Sequence, residues 1–307
     1  MLNFLLRRIG IAIPTLLVLA TLSFYLMMAA PGGPFTSEKP MPPEVVENIE
    51  AKYGLDNPLH QQLGNYLWGV VTEFDFGPSF RYKDRTVNDL IQTGFPRTLT
   101  YGFWSFVFAV SIGVTLGVIA ALNHNGKADY AALSVAIGGQ VLPNFVLAPL
   151  LVLLFVLKLD WLPGGGWEGG EARFIILPVI ALGTSYLASI ARITRSSMLE
   201  VLNSDYIRTA KAKGMPFRRI IFHHALKPSL LPVVSFLGPA FVGMITGSFI
   251  IDTYFTTGGI GTHFVNGALN RDYSVIMGFT ILLGALTITF NMLVDILYAW
   301  IDPKIRY

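Results

Sequence analysis

The amino-acid sequence predicts an all-α polytopic membrane protein with six transmembrane helices. Hydrophobic residues make up 53% of the 307-residue chain and charged residues 13%, whereas about a quarter of the residues of a soluble protein are charged. A soluble domain of this size could not cover its surface with so few charges, and a disordered chain requires low hydrophobicity. Cysteine is absent, which excludes disulfides, thiolate metal sites and cysteine nucleophiles.

Six stretches free of Asp, Glu, Lys and Arg are long enough to cross a bilayer. A helix needs about 20 mostly apolar residues to span roughly 30 Å of hydrocarbon, because only a helix satisfies its own backbone there. The first stretch is longer than the apolar core of a signal peptide and no Ala-x-Ala site follows it, so we interpret it as a retained helix. The predicted spans are residues 9–30, 99–122, 131–157, 174–191, 229–251 and 274–294.

The positive charges indicate which side of the membrane each loop faces. Eight Lys and Arg lie in the segment 192–228, between spans four and five, and cytoplasmic loops are enriched in these residues. With six spans, both termini share the side of this basic loop. The sequence therefore predicts a cytoplasmic N-terminus leading into the first helix (1–30) and a cytoplasmic tail (302–307). Residues 31–98 form an outside segment, and residues 99–301 form a core of five further helices.

The outside segment is long enough for a small, mostly helical insertion. Pro42-Pro43-Glu44 predicts the start of one helix, which ends at Gly54, and a second helix is predicted over residues 58–71. A region this small forms only a marginal core by itself, so we expect it to pack against the outer ends of the spans. A packed cap and a docking surface for an outside partner are both open.

The basic loop predicts two short amphipathic helices that meet at Gly214. This glycine suits the position just past a helix end, and Pro216 suits the first turn of a second helix that ends before Pro228. A soluble partner pressed onto the first helix and a basic helix resting on anionic lipid both fit the pattern. The first helix runs from about Asp205 to Lys213, with Tyr206, Ile207 and Ala210 on one face and Arg208 and Lys211 on another.

Polar residues and prolines interrupt two of the predicted spans. Gln140, Pro143 and Asn144 lie in the third span, and Pro232 and Pro239 lie in the fifth. Prolines leave backbone carbonyls that need other partners or a water-filled cavity. Gln140 and Asn144 are therefore candidate pathway residues, with kinks made for packing as the alternative.

Two further outside loops carry distinctive residues. The loop 158–173 contains Trp161 and Trp167, and tryptophans at span ends usually mark the lipid headgroup level. The next loop begins at Asp252, a third candidate pathway residue, and contains Gly-Gly-Ile-Gly at 258–261. That run predicts either a re-entrant loop at a pathway mouth or a flexible turn.

Asp295 directly follows the last apolar stretch and is the lone acid if the span extends over it. An acid inside a membrane span often marks a pathway or proton relay, but this one lies near the cytoplasmic end, where pairing with a base of the basic loop is the favoured alternative. The small-residue spacings Gly113-x-x-x-Gly117 and Gly243-x-x-x-Gly247 predict close helix packing, within the chain or against a second membrane subunit.

The sequence predicts no catalytic or metal-binding residues and no cofactor held by this chain. P-loop, His-Glu-x-x-His and Gly-x-Ser-x-Gly motifs are all missing, and the adjacent His223 and His224 would point about 100° apart on a helix. A transporter driven by an ion gradient would need an ion site near mid-membrane and often an inverted repeat. Neither is visible, and an intramembrane enzyme would lack a catalytic set.

One family resemblance rests on the basic loop. Asp-Tyr-Ile-Arg-Thr-Ala-Lys-Ala-Lys-Gly at 205–214, followed by His-Ala-Leu-Lys-Pro-Ser-Leu-Leu-Pro at 224–232, resembles the Glu-Ala-Ala loop of ATP-binding-cassette (ABC) importer permeases. Arg208-Thr209-Ala210 stands where Glu-Ala-Ala is usual, and the distance from the glycine to Leu-Pro is longer. The dipeptide and oligopeptide branch of the family shares both departures.

The resemblance extends over nearly the whole chain. Trp-Leu-Pro-Gly-Gly-Gly-Trp at 161–167 is similar to the B-type membrane subunit of the oligopeptide branch. Asp252 stands where Glu is more usual, Gly258 where Pro is, and Gly33 where Asp is commoner. The other similar segments are residues 6–8, 13–16, 31–34, 53–58, 75–79, 252–261 and 302–307.

This resemblance implies a type I ABC importer permease fold in a bacterial inner membrane and an alternating-access mechanism. The implied partners are a second, related permease, two cytoplasmic ATPase subunits that bind ATP and Mg, a periplasmic oligopeptide-binding protein, a peptide substrate and membrane lipid, with no nucleic acid. The first helix of the basic loop would be the coupling helix that docks on an ATPase, with Ala210 and Gly214 as its close-packed points. The implied contact residues are Asp205, Tyr206, Arg208, Thr209, Ala210, Lys211 and Gly214.

Overall fold

A computed structural model describes residues 2–30, 47, 50, 51 and 53–301, without the side chains of residues 2–5, 295 and 297–301. The predicted helix start at Pro42, the tail 302–307 and the Asp295 side chain lie outside this description, so the role of Asp295 stays a prediction. The described part of the chain is all-α, as expected.

Twelve helices carry the architecture of the described residues. The helix α8 joins Phe217–Arg219, a π-helical stretch Ile220–Ala225 and Leu226–Ser229, and α5 continues into a π-helical stretch Leu153–Lys158. The others are α1 Leu2–Ala29, α2 Leu59–Glu73, α3 Val87–Leu122, α4 Lys127–Val141, α5 Asn144–Val152, α6 Ala172–Leu202, α7 Asp205–Ala212, α9 Leu231–Thr246, α10 Phe249–Tyr254, α11 Ile260–Asn270 and α12 Tyr273–Ile301.

Five helices are long and apolar enough to cross a membrane, and the count reaches six if α4 and α5 together form one span. The predicted third span over residues 131–157 is bent at its predicted interruption, because α4 and α5 meet at 102°. Pro143 lacks a backbone N–H and forces the residue before it out of the helical region. Leu142 accordingly has φ −84° and ψ 114°.

Two other spans are longer than predicted. The helix α3 begins at Val87 rather than residue 99, because Thr86 and Asp89 cap its first turn reciprocally: Thr86 N donates to Asp89 Oδ2 at 2.8 Å, and Asp89 N donates to Thr86 Oγ1 at 3.2 Å. The helix α6 continues to Leu202, well past residue 191, because charged side chains end an apolar run without ending a helix.

The chain forms two compact units, residues 1–96 with 258–288 and residues 97–257 with 289–307. In the first unit, α2 packs through Leu63 against Ala20 and Phe24 of α1 and Met277 of α12. The expected packing of the outside segment against the spans is therefore observed in its described part. Gly54, at φ 66°, ends the helical residues before α2, as predicted.

A buried carboxylate, that of Asp272, connects the loop before α3 to the start of α12 in the first unit. Asp272 accepts hydrogen bonds from the Ser79 hydroxyl, from Phe80 N and Arg81 N at 3.2 Å each, and from Val275 N at 3.3 Å. Its side chain is fully buried. These bonds hold the loop before α3 against the beginning of α12.

Removal of this acceptor is expected to destabilise the protein strongly. Asp272→Ala leaves several donors without their acceptor, and each buried orphan costs about 1–3 kcal/mol. We expect a loss of about 2–4 kcal/mol in the free energy of unfolding, measured by thermal unfolding in mild detergent. Asp56→Ala, at an exposed position of the same unit, is the matched control and should stay within about 0.5 kcal/mol. Equal melting temperatures for the two variants would contradict the assignment.

In the second unit, α6 is the central helix. About 56% of the residues in its most apolar stretch are buried, against 11% in α1. The backbone of α3 approaches α6 closely at Gly113 and Gly117, where a Cβ would meet Ile190 and Thr194. The first small-residue spacing therefore serves packing within the chain. Likewise, a Cβ on Gly243 would meet the Tyr186 side chain of α6.

The two remaining loops that are predicted to lie outside contain packed side chains and helical turns. Trp161 is 65% exposed, as a headgroup marker would be, but Trp167 packs against the hydrophobic core and lies 5.8 Å from the Arg97 guanidinium. In the loop after α10, Gly258 adopts φ 67° and α11 follows directly. The Gly-rich run is thus a tight turn into a helix.

Candidate functional site

The basic loop presents a short helix, which we call the foot (residues 205–214). It consists of α7, the C-cap Lys213 and Gly214. This matches the predicted helix from about Asp205 to Lys213. Ser204 occupies the N-cap position, but its hydroxyl donates to Val201 O at 2.6 Å instead of capping α7.

One face of the foot is buried within the chain. Ile207 is fully buried and Ala210 nearly so, in a hydrophobic cluster with Met198 of α6 and with Ile220 and Ala225 of α8. The Ala210 side chain is therefore directed inward. It packs the foot against α6 and α8, and its role as a close-packed point for a partner stays a prediction.

The opposite face of the foot is exposed and polar. Tyr206 is 48% exposed, and its hydroxyl donates to His224 O of α8 at 3.4 Å. Arg208 Nη1 lies 3.3 Å from Asp205 Oδ1, an exposed pair that contributes little stability. The predicted contact residues on this surface are Asp205, Tyr206, Arg208, Thr209, Lys211 and Gly214.

Gly214 ends the foot in a Schellman motif, in which two backbone bonds close the last turn. Met215 N donates to Ala210 O at 3.2 Å and Gly214 N donates to Lys211 O at 2.9 Å. Gly214 has φ 74°, the left-handed region that glycine adopts without a Cβ penalty. A Cβ built on it has no heavy atom within 4 Å, so space does not require glycine in this chain, whereas the backbone conformation favours it.

Substitutions of Gly214 are expected to lower the stability of the protein in proportion to the backbone strain that they introduce. Gly214→Val should lower the free energy of unfolding by about 1–2 kcal/mol, the cost of a left-handed conformation for an ordinary residue. Gly214→Asn should cost less, because Asn tolerates this region. Thermal unfolding in detergent measures both variants. The ordering is wrong if Asn and Val destabilise equally.

The second helix of the basic loop differs from its prediction. Pro216 lies just before the helix rather than inside it, and α8 continues through Pro228 to Ser229. The π-helical stretch Ile220–Ala225 adds a residue to the turn before this proline. A π-bulge of this kind removes the usual i to i−4 bond locally, which accommodates Pro228 inside the helix.

The predicted pathway residues Gln140 and Asn144 flank the break between α4 and α5 and bond to α6. Gln140 Oε1 accepts a hydrogen bond from Arg192 Nη2 at 2.8 Å. Asn144 Oδ1 accepts one from the Ser185 hydroxyl at 2.6 Å. Both polar side chains thus connect the broken helix to the helix that carries the foot.

The third predicted pathway residue, Asp252, is fully buried. It accepts hydrogen bonds from the hydroxyls of Tyr101 and Thr257, and from Thr98 at 3.3 Å and Ser248 at 3.4 Å. In this structure the carboxylate connects α3 and α10, and its role in the pathway stays a prediction.

An ion pair between α4 and α6 was not predicted from the sequence. Arg195 Nε and Nη2 donate to Asp129 Oδ1 and Oδ2, both at 2.7 Å. Asn125 N also donates to this carboxylate at 2.9 Å, and His124 Nδ1 lies 3.0 Å from Arg195 Nη2. The sequence shows an acid near the end of one span and a base near the end of another. Because each charge requires a partner, these positions could have indicated the pair.

The described residues contain no group of three or more His, Asp or Glu that could hold a metal ion. The neighbouring His223 and His224 differ in exposure, the first exposed and the second half-buried. The foot presents an exposed, mostly basic helical surface, and its opposite, apolar face packs against α6 and α8. Such a surface suits contact with another macromolecule.

The fold and the site together define a polytopic membrane protein that presents a rigid helical foot between two spans. The sequence matches two family profiles, the binding-protein-dependent transport system inner membrane component over residues 113–307 and its N-terminal region over residues 1–102. The chain belongs to this family of binding-protein-dependent transport permeases.

Full-length relatives support the assignment. The chain is 60% identical to the oligopeptide transport system permease protein OppB of Salmonella typhimurium and 59% identical to OppB of Escherichia coli K12, with all of each chain covered. It is 44% identical to the dipeptide transport system permease protein DppB of Bacillus subtilis, covering 100% of this chain and 98% of that one.

Solved structures share the fold. A chain of the inward-facing MetNI methionine ABC transporter matches with a TM-score of 0.58 at 17% identity, covering 69% of this chain and 96% of that chain. A chain of an amino acid ABC transporter matches with a TM-score of 0.53 at 16% identity, covering 69% and 94%. The transmembrane part thus has the fold of ABC importer permeases.

Proposed function

We propose that this chain is the membrane-spanning permease subunit of an ATP-driven oligopeptide importer. The observation that carries the proposal is the 60% identity, over the entire length, to a permease of an oligopeptide transport system. The exposed foot supports it, because a subunit driven by a separate motor needs a surface to receive force. ATP and Mg would be bound by the motor subunits, since this sequence has no P-loop.

The proposed assembly contains four kinds of subunit. A second, related permease would complete the translocation pathway, two ATPase subunits would dock beneath the membrane, and a periplasmic protein would deliver the peptide. The eight Lys and Arg of the basic loop favour a cytoplasmic location for it and for both termini. The foot would then face the ATPase subunits.

The packing of the foot against α6 and α8 supports an alternating-access mechanism. Closure of the ATPases on ATP would displace the foot, and its buried residue Ile207 would carry the displacement into Met198 of α6 and Ile220 of α8. Close-packed interiors transmit such shifts instead of absorbing them. The membrane cavity would open outward to receive peptide, and hydrolysis would reset it inward.

The proposal is tested by purification and by uptake. Affinity-tagged chain purified from its own host in mild detergent should retain two ATPase subunits and a second permease, and deletion of its gene should abolish uptake of a labelled tripeptide. The purified complex should hydrolyse ATP faster when peptide-loaded binding protein is added. Full peptide transport by the lone chain in liposomes would overturn the proposal.

A further inference from the structure

The helix that carries the foot is also bonded to both arms of the broken helix. Besides the bonds from Ser185 and Arg192 to the two sides of the break, Arg195 is bonded to Asp129 at the far end of α4. Between these points α4 and α6 pack closely, and a Cβ on Gly139 would meet the Thr184 side chain. The arm α4 therefore lies along α6 over its whole length.

The three connections differ in strength. The pair of Asp129 and Arg195 is bidentate and charged, with the Asp129 side chain 2% exposed and that of Arg195 23% exposed. Paired, hydrogen-bonded charges shielded from water resist separation more than a single hydrogen bond to a neutral side chain. The bonds at the break are single, and Gln140 is exposed. The rigid connection thus lies at the start of α4 and the weak ones lie at the break.

A short path of packed residues joins this ion pair to the foot. Met198 lies one helical turn after Arg195 on α6, is fully buried, and packs in the same cluster as Ile207 of the foot. The hydroxyl of Ser229 of α8 donates to the Met198 sulfur at 3.4 Å. A displacement of the foot therefore reaches the turn that holds Arg195 without crossing a loop.

We propose that Arg195 and Asp129 are positioning residues that make α4 follow the foot, so that bending is concentrated at Leu142-Pro143. The ion pair holds the start of α4 to α6, whereas only single hydrogen bonds hold the break. The backbone at Pro143 is therefore the place that bends most easily. The arm α5 then changes its angle to α4 when the foot moves. This inference rests on the proposed function, because it assigns the route by which the ATPase step reaches the membrane.

The first test separates transport from ATP hydrolysis. In proteoliposomes with binding protein, Arg195→Ala should raise the ATP hydrolysed per peptide imported at least tenfold, while the ATPase subunits still co-purify because the exposed face of the foot is unchanged. Arg195→Lys keeps the charge but loses the bidentate geometry, so it should restore the coupling only in part. If Arg195→Ala yields too little complex, Asp129→Asn removes the charge with little change of shape and should give the same rise.

The matched control is Arg192→Ala, which removes an arginine one turn earlier on α6 with a neutral partner at the break. This variant should change the ratio of ATP hydrolysed to peptide imported by less than about twofold. A ratio for Arg195→Ala or Asp129→Asn within twofold of the unmodified protein overturns the inference, even if the ATPases co-purify normally. Failure of the unmodified chain to retain ATPase subunits would instead overturn the proposed function.

The second test measures the angle at the break. The chain has no cysteine, so spin labels can be placed at two introduced cysteines, Val135→Cys on α4 and Phe145→Cys on α5, both exposed. In the intact complex the distance between the labels should shift between the nucleotide-free state and the state trapped with ATP and vanadate. The shift should be lost in Arg195→Ala. A shift that persists in that variant, or no shift in the unmodified complex, contradicts the inference.

Discussion

Thr209→Trp is expected to reduce the amount of ATPase subunit retained by the purified protein roughly fivefold or more. Thr209 lies on the exposed face of α7, and its hydroxyl bonds only within its own helix, to Asp205 O at 2.9 Å. A tryptophan there clashes with no residue buried under the foot. In a docked interface, added bulk of this size costs about 1–3 kcal/mol, and about 1.4 kcal/mol corresponds to a tenfold loss of affinity.

A second threonine in the chain provides the control. Thr72 is exposed on α2 and makes the same type of bond, to Trp68 O at 2.7 Å. Thr72→Trp therefore introduces the same bulk in the same helical context away from the foot and should leave ATPase retention unchanged. Equal retention in the two variants, with normal membrane levels of both, would mean that the foot does not carry the contact.

Asp252→Ala is expected to cause a large loss of stability in the second unit. The buried carboxylate accepts hydrogen bonds from Tyr101 and Thr257, and removing the acceptor leaves buried donors unpaired at about 1–3 kcal/mol each. We expect the free energy of unfolding to fall by about 3–5 kcal/mol, seen as a lower melting temperature in detergent. Asp252→Asn keeps one acceptor oxygen and should cost about half as much.

Two comparisons decide whether Asp252 is structural. Glu200→Ala, at an exposed acid on α6 of the same unit, should shift the melting temperature little. A pathway role would give a different pattern, in which Asp252→Asn changes which peptides are imported and leaves the melting temperature unchanged. That pattern would support the predicted pathway role of Asp252.

The elements that could be predicted from the sequence are those determined by the residues of one short segment. The apolar runs located five spans, because the cost of an unpaired backbone in hydrocarbon leaves a helix as the solution. The foot could be predicted because α7 is short and amphipathic and Gly214 terminates it in the way local backbone geometry favours. The resemblance predicts a role for the foot without any information on its packing.

The elements that could not be predicted depend on long-range packing. Pro143 indicated an interruption, but the 102° bend follows from how α4 and α5 both fit against α6. Nothing in the spacing shows that Asp129 meets Arg195, 66 residues later, or that Ala210 turns inward. For Asp252, polarity near a span end fits a pathway and a buried link equally well, and the spacing does not show that the side chain is buried.

The scarcity of contacts along α1 has a consequence for sequence divergence. A Cβ on Gly10 would meet nothing within 4 Å, and Val18 and Leu22 are each 57% exposed, so few neighbours in this chain restrict the shape of these side chains. Natural variation among homologous permeases should therefore exchange one apolar residue for another freely along α1, while polar replacements are rejected at insertion. Along α6, by contrast, side-chain volume itself should be under selection.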